Sequence, residues 1–166
     1  MAKLHDYLEQ VNVFSALKEE PEWMLEIRQA ALAKVDELPF PKIERVRYER
    51  WPLFNIDETA LTGGQTISEE AIAHAVPAFD AMDSHPTVVQ YEETTIFEQL
   101  PQHLVDQGVI FTDLFTALQE VPELVNQYYM SKAVPVDEDK MTAAHAAFMN
   151  SGLFLYVPKN VVIEEH

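Results

Sequence analysis

The chain has 166 residues and a formal net charge of −17, from 28 acidic and 11 basic side chains. This charge argues against binding to nucleic acids or to anionic membranes, because both attract basic surfaces. The sequence contains no cysteine, which excludes disulfides, thiol nucleophiles and thiolate metal sites. It opens without a signal-peptide pattern and has no apolar stretch near the ~20 residues that span a bilayer, so we expect a cytoplasmic protein.

Apolar spacing predicts two helices at the beginning of the chain. Residues 2–17 suit a short helix whose apolar stripe contains Leu4, Leu8 and Val11. A longer helix is predicted over residues 21–38, because acidic residues around Pro21 favour a first helical turn. Pro39 and Pro41 end this helix, and its apolar positions recur at helical spacing: Met24, Ile27, Ala31, Val35 and Leu38.

The segment Lys42–Trp51 is the one locally basic stretch and holds three of the four arginines. It is compatible with a strand or an extended arm. Basic residues interleaved with aromatic ones can indicate stacking on nucleic acids, but the acidic background and two interrupting glutamates disfavour this. A solvated segment that docks on an acidic surface is the favoured interpretation.

The middle of the chain mixes turns with short elements. Gly63-Gly64 marks a turn without any phosphate-loop motif. Thr66 and Glu69 suggest a capping box for a helix over 66–76. A strand is predicted at Thr87–Tyr91, and 94–107 has a mixed pattern with a short helix after Pro101 that ends at Gly108.

The last third predicts alternating helices and strands. After a short buried strand at 109–111, helices are expected over 113–120, 122–131 and 138–150, the first capped by Thr112 or Asp113 and the last by Asp137. Leu153–Val157 indicates a strand too apolar to face water on either side. A turn at Pro158–Asn160 then leads to a second strand at Val161–Glu165. The predicted fold class is α+β, predominantly helical with a few short strands.

None of the residue patterns composes a catalytic, cofactor-binding or metal site. The six histidines form no paired metal motif, and His145, on the predicted apolar stripe of its helix, is interpreted as a hydrogen-bonded core residue. The run Asp137–Asp139 fits helix capping better than cation binding, because it lacks the other ligands of a calcium loop. The pair Tyr128-Tyr129 is expected in the core. We therefore name no catalytic, cofactor-binding or metal residue.

Two parts of the chain carry a recognisable pattern. The last third contains the segments Gly108–Leu114, Pro122–Val125, Lys132–Val134, Asp137-Glu138, Lys140, His145–Ala147 and Phe154–Val161. The first third contains the pattern from Glu20 to Lys42, followed by Arg47-Tyr48 and Trp51. Together these segments resemble the SufB/SufD family of scaffold proteins for iron–sulfur cluster assembly. In the first third the chain is more similar to the amino-terminal region of SufD than to SufB.

The resemblance implies a helical amino-terminal region, a central right-handed β-helix and a carboxy-terminal helical part. On this interpretation residues 1–152 are the mainly helical region, and 153–166 are the first strands of a truncated β-helix, so we expect a fragment of a longer protein. The positions linked to cluster building lie farther along in the family, so no cofactor is expected in this chain.

The resemblance also implies partners. SufB-like subunits and the ATPase SufC are expected to bind the full-length protein, and neither nucleic acid nor membrane is expected. The function it implies is that of a non-catalytic domain of a cluster-assembly scaffold. The residues alone leave two alternatives open: a stand-alone acidic adaptor, and a small metal-dependent hydrolase using His74, His85, His103 and His145. A homodimer through the unpaired strand edge is a further expectation for the fragment.

Overall fold

A computed structural model describes residues 3–48, 51, 54, 61, 68, 70, 72–73 and 85–164. The chain divides into two compact units. Unit 1 contains Met1–Gly63 and Val121–Asn150, and unit 2 contains Gly64–Glu120 and Ser151–His166. None of the helices in the described part is long and apolar enough to cross a membrane.

The described residues form helices and short strands, which confirms the predicted α+β class. A 3-10 helix at Leu4–Tyr7 precedes the α-helices, which are α1 (Leu8–Leu17), α2 (Glu22–Val35), α3 (Gln102–Val105), α4 (Leu114–Glu120), α5 (Pro122–Tyr128) and α6 (Lys140–Phe148). The strands are β1 (Thr87–Tyr91), β2 (Thr94–Gln99), β3 (Ile110–Asp113) and β4 (Leu153–Tyr156). Most predicted helices are therefore present with shorter ends. Most of the predicted helix over 66–76, with its Thr66–Glu69 capping box, lies outside the described residues.

The core of unit 1 forms where α2 packs against α6. Four small side chains of α6, Ala143, Ala144, Ala146 and Ala147, are buried, and their size lets the two helix backbones approach closely. The predicted stripe of α2 is confirmed at Met24, Ala31 and Val35, which are fully buried. Ile27 and Leu38 are partly buried against this core, and the other fully buried members of the cluster are Val11 and Leu32.

The predicted faces and cap of α6 were wrong. His145 is exposed, because the buried face of this helix is the alanine face. Asp139, not Asp137, caps the helix: its Oδ1 accepts hydrogen bonds from the backbone N–H groups of Met141 at 2.7 Å and Thr142 at 2.9 Å. The cap therefore lies two residues later than the sequence suggested, and the helix starts at Lys140.

A buried ion pair crosses unit 1. Arg28 donates from Nε and Nη2 to the carboxylate of Glu20, the shortest contact being 2.6 Å, and both side chains are 0% exposed. The third guanidinium nitrogen, Nη1, donates to the backbone oxygen of Ala147 at 3.1 Å. The ring of Phe14 lies under the guanidinium at 5.2 Å. These contacts join the turn before α2 to the last turn of α6.

Tyr129 lies close to this ion pair. Its hydroxyl is buried and finds no hydrogen-bond partner among the residues that the structure describes. Burial raises the pKa of the phenol; the positive charge of Arg28 opposes the increase, and the negative charge of Glu20 adds to it. The structure therefore favours the neutral phenol.

Unit 2 is built from two antiparallel strand pairs. β1 pairs with β2 with a register shift between Val89 and Gln90, and β3 pairs with β4 from Ile110–Tyr156 to Asp113–Leu153. The predicted strand at 87–91 is confirmed, whereas β2 lies in the stretch for which only a mixed pattern was predicted. Residues 109–111 become the strand Ile110–Asp113, and α3 ends in a turn in which Gly108 has a φ of +80°, as expected for a glycine after a helix.

The end of the chain differs from the prediction. The turn after Pro158 is present, with the N–H of Val161 donating to the Pro158 oxygen at 3.1 Å. Residues 161–164 form no strand, and 165–166 lie outside the described residues. Val162 is 72% exposed, so this segment lacks the pairing and packing that would hold it extended.

We predict that Glu20→Gln lowers the free energy of unfolding by roughly 3–5 kcal/mol, because it leaves the Arg28 charge buried without a counter-ion. The double variant E20M/R28M should lose less than E20Q, since it buries no charge. Urea denaturation followed by circular dichroism measures both. Lys34→Gln, which breaks the exposed 2.7 Å pair with Asp137, is the control and should change stability little. A stability of E20Q within about 1 kcal/mol of the wild type would contradict this role.

We predict that Tyr129→Phe keeps or raises stability at neutral pH, because it removes a buried hydroxyl without a partner. The pKa of the phenol is higher in the folded state than in the unfolded state, where it is about 10. The stability linked to this difference is fully present below about pH 10, and it is lost as the pH rises through the folded pKa. The variant should therefore show a smaller alkaline loss in urea titrations. Tyr128→Phe, at an exposed position, is the matched control. A loss above about 1 kcal/mol at neutral pH would mean that the hydroxyl is hydrogen-bonded.

Candidate functional site

The polar residues considered for chemistry are held by structural contacts or lie apart. Among the residues that the structure describes, no group of three or more histidine, aspartate or glutamate side chains could hold a metal ion. The Nδ1 atom of His5 lies 2.8 Å from Asp36, His145 is exposed on α6, and His74 lies outside the described residues.

The acidic residues that precede α6, in the run Asp137–Asp139, make different structural contacts. Asp139 caps the helix, and Asp137 accepts a hydrogen bond from Lys34 Nζ at 2.7 Å. This hydrogen bond and the positive charge of Lys34 lower the pKa of Asp137. The two carboxylates therefore serve different partners.

The most open feature of unit 2 is the outer edge of β4, which we call the terminal edge and define by Leu153–Tyr156. β4 pairs with β3 on one side and with no other strand in the described part of the chain. The N–H of Leu114 donates to the oxygen of Gly152 at 2.9 Å, and hydrogen bonding alternates along an antiparallel pair. The backbone groups of Leu153 and Leu155 therefore point away from β3, toward the free edge.

The side chains of the terminal edge add an apolar surface. Leu153 is 47% exposed and Leu155 is 57% exposed, while Phe154 and Tyr156 on the other face are partly buried. The prediction that this strand is covered on both faces is therefore wrong for the chain as it stands. The terminal edge combines unpaired backbone donors and acceptors with exposed leucines, which is the pattern that accepts an added strand.

A polar network fixes the inner side of this strand pair. Glu98 of β2 accepts hydrogen bonds from the Thr112 hydroxyl at 2.8 Å and from the Asp113 N–H at 2.7 Å. The Thr95 hydroxyl donates to Asp113 Oδ2 at 2.7 Å, and Asp113 Oδ1 accepts from the Phe115 N–H at 2.8 Å. Asp113 thus caps α4, as one of the two predicted alternatives, while Thr112 instead contacts Glu98.

Gly152 shows why β4 begins where it does. A Cβ atom at this position would lie 3.0 Å from the Leu114 side chain, so any other residue would require that side chain to shift. The oxygen of Gly152 also accepts a hydrogen bond from Gln90 at 3.4 Å. Local sequence patterns could not reveal this close approach, because it involves a residue 38 positions earlier in a separate element.

Fold and site together define an α+β region whose last described strand has an open edge. Residues 4–166 match the family described as the N-terminal region of SufBD proteins. The chain therefore belongs to the SufBD family, and the resemblance drawn from its sequence is confirmed. No solved structure matches the chain significantly.

Two curated relatives illustrate the similarity. The chain is 39% identical over 158 residues to the iron-sulfur cluster assembly protein SufD of Bacillus subtilis, which covers 94% of this chain and 36% of that protein. It is 29% identical over 163 residues to an iron-sulfur cluster assembly SufBD family protein of Staphylococcus saprophyticus, which covers 93% of this chain and 35% of the relative. The chain thus spans about a third of the length of these relatives.

We predict that the isolated chain self-associates at high concentration through the terminal edge, and that Leu155→Lys weakens this association. A lysine on an edge strand opposes strand addition by its charge and hydration. Analytical ultracentrifugation over a concentration series measures the effect. Leu17→Lys makes the same chemical change at a side chain of α1 that is 56% exposed, and it should leave the association unchanged. Equal sedimentation of wild type and L155K at every concentration would exclude an edge-strand dimer.

Proposed function

We propose that this chain serves as a non-catalytic amino-terminal region of a SufD-like scaffold in iron–sulfur cluster assembly. The observation that carries the proposal is the match of residues 4–166 to the SufBD amino-terminal region, together with the identity to the Bacillus subtilis protein. In this role the region supports assembly through contacts, while the cluster is the cargo of the longer protein.

The terminal edge is proposed as the junction with the rest of such a protein. Residues 1–152 then form the mainly helical region, and 153–166 are the first strands of a β-helix. The free backbone groups of Leu153 and Leu155 and their exposed side chains support this, because a following coil would pair the backbone and cover the leucines. Leu153 and Leu155 also differ from the partly buried Phe154 and Tyr156, which face the other side of the strand.

The partners proposed for the longer protein are SufB-like and SufC-like subunits, in the cytoplasm. The support is the family membership and the name of the Bacillus subtilis relative. Because the chain spans about a third of that relative, these partners are proposed for the longer protein. The region itself is proposed to hold no cofactor.

A chimaera tests the scaffold role. We predict that this chain, placed before the remaining two-thirds of Bacillus subtilis SufD in exchange for the matched segment, supports cluster assembly in cells depleted of the native protein. The readout is the activity of a cluster-dependent enzyme. The remaining two-thirds of Bacillus subtilis SufD, expressed without this chain, provide the matched negative control. Failure of a soluble, folded chimaera to restore that activity would contradict the proposal.

The proposed absence of a cluster in this region is checked with the isolated chain. After anaerobic incubation with iron and sulfide and removal of excess reagents, the chain should show no visible absorption. An apo-ferredoxin treated in parallel should turn brown. A stable coloured species bound to the isolated chain would overturn the non-catalytic assignment, whatever the result with the chimaera.

A further inference from the structure

A basic loop at Lys42–Tyr48 lies on unit 1 and is not needed for the core that α2 and α6 form. The side chains of Lys42, Arg45 and Arg47 are exposed, and no ion pair is present for them among the described residues. The single acidic side chain in the loop is Glu44. The loop is therefore locally positive on a chain whose net charge is −17.

Apolar side chains accompany these cations. Ile43 is 53% exposed and Val46 is 38% exposed. Together with neighbouring residues they line a shallow cavity of about 270 Å³ that also includes Pro41 and Tyr48. Isolated exposed apolar residues are ordinary on protein surfaces, but two beside a cavity and three exposed basic side chains form a combined apolar and positive surface.

The floor under the loop is fixed by aromatic packing. Phe40 contacts Tyr48 edge to face at 5.8 Å between ring centroids and stacks on Phe54 at 5.8 Å. Lys140 Nζ lies 5.5 Å from the Phe40 ring, and Tyr48 is only 7% exposed. The loop is therefore anchored at both ends, which reduces the entropy that a partner would have to remove on binding.

The backbone of the loop turns at Arg45. Its φ is +66°, a conformation that arginine rarely adopts. The turn separates Ile43 from Val46, and a hydrogen bond from the Val46 N–H to the Ile43 oxygen at 3.3 Å closes it. The tight turn keeps Lys42, Ile43 and Val46 around the cavity, which Glu44 also lines, and Arg45 and Arg47 directly follow and precede these lining residues in sequence.

We propose that the basic loop docks an acidic segment of another protein, with carboxylates on Arg45 and Arg47 and an apolar side chain beside Ile43 and Val46. Carboxylates match the planar donor groups of arginine, and an aliphatic side chain suits the cavity. This interaction is distinct from the strand addition proposed at the terminal edge.

A protein segment fits this surface better than a nucleic acid or a second copy of the chain. Tyr48 and Phe40 are packed into the floor, so they cannot stack on bases as single-strand binding requires. A long polyphosphate or a second copy of the chain brings more negative charge against the rest of this chain than a short acidic segment does, so the segment retains more of the local attraction.

The test uses the chain itself and a fluorescent peptide of glutamates interspersed with leucines, and anisotropy reports binding. The variant R45N/R47Q removes both arginines, and asparagine tolerates the positive φ at position 45. The control variant K3Q/K159Q removes two exposed lysines elsewhere, so both variants have the same net charge. We expect R45N/R47Q to bind about tenfold or more weakly, and K3Q/K159Q within about twofold of the wild type.

Other probes test the chemistry of the partner. A peptide in which serines replace the leucines should bind several-fold more weakly, and raised salt should weaken binding of the leucine peptide. The proposal is overturned if the wild type does not bind the leucine peptide, if both variants lose affinity equally, or if the serine peptide binds as well. It is also overturned if a single-stranded oligonucleotide binds more tightly than the peptide. Self-association that R45N/R47Q abolishes would assign the loop to a second copy instead.

Discussion

Unit 1 depends on the ion pair between Glu20 and Arg28. Removing two charges from water costs several kcal/mol per ion. This cost is offset only because each N–H group that the arginine uses has a hydrogen-bond acceptor. Three N–H groups of the arginine reach the carboxylate or the Ala147 oxygen, and the Phe14 ring covers its face. An apolar pair of similar volume could be as stable. The ion pair also fixes the packing geometry, because its hydrogen bonds form in only one placement of the turn before α2 against the end of α6.

The alanines of α6 follow from the same constraint. Arg28 reaches the Ala147 oxygen at 3.1 Å only if the α6 backbone lies close to α2, and larger side chains at Ala143 or Ala147 would hold it away. Both of these alanines are 0% exposed. The close approach also leaves no room for a ring on this face, so His145 is directed outward. The exposed histidine and the buried arginine are two consequences of one packing arrangement.

How much the sequence predicts depends on whether the signal is local. Helical spacing identified α2, and glycine after α3 identified a helix end, because both signals act within one or two turns. The face of α6 could not be obtained in this way, since either stripe of an alanine-rich helix is apolar enough. Arg28 lies three residues before Ala31 and four residues after Met24, and this spacing places it on the buried face of α2. A charged residue on that face, with Glu20 upstream, is the signal that could have revealed the ion pair. The β1–β2 pairing, the Glu98 network and the exposure of Leu155 all depend on contacts between separate elements. Local sequence patterns therefore could not predict them.

The terminal edge raises a question of energetics rather than of pattern. Burying a leucine side chain stabilises by roughly 1.5–3 kcal/mol relative to leaving it exposed, and Leu153 and Leu155 forgo much of this gain. The inner side of β4 is well satisfied by β3, by the Leu114–Gly152 hydrogen bond and by the close contact at Gly152. β4 is thus held in place by contacts on one side alone, and these contacts already fix its pleat and register. A strand added to the outer edge would pair the free backbone groups and cover part of both leucine side chains. Because the geometry of β4 is already fixed, ordering the added strand costs less than ordering two free strands. The same reasoning explains why the segment after Pro158 remains unpaired here: a lone strand gains stability only when a neighbour completes its ladder.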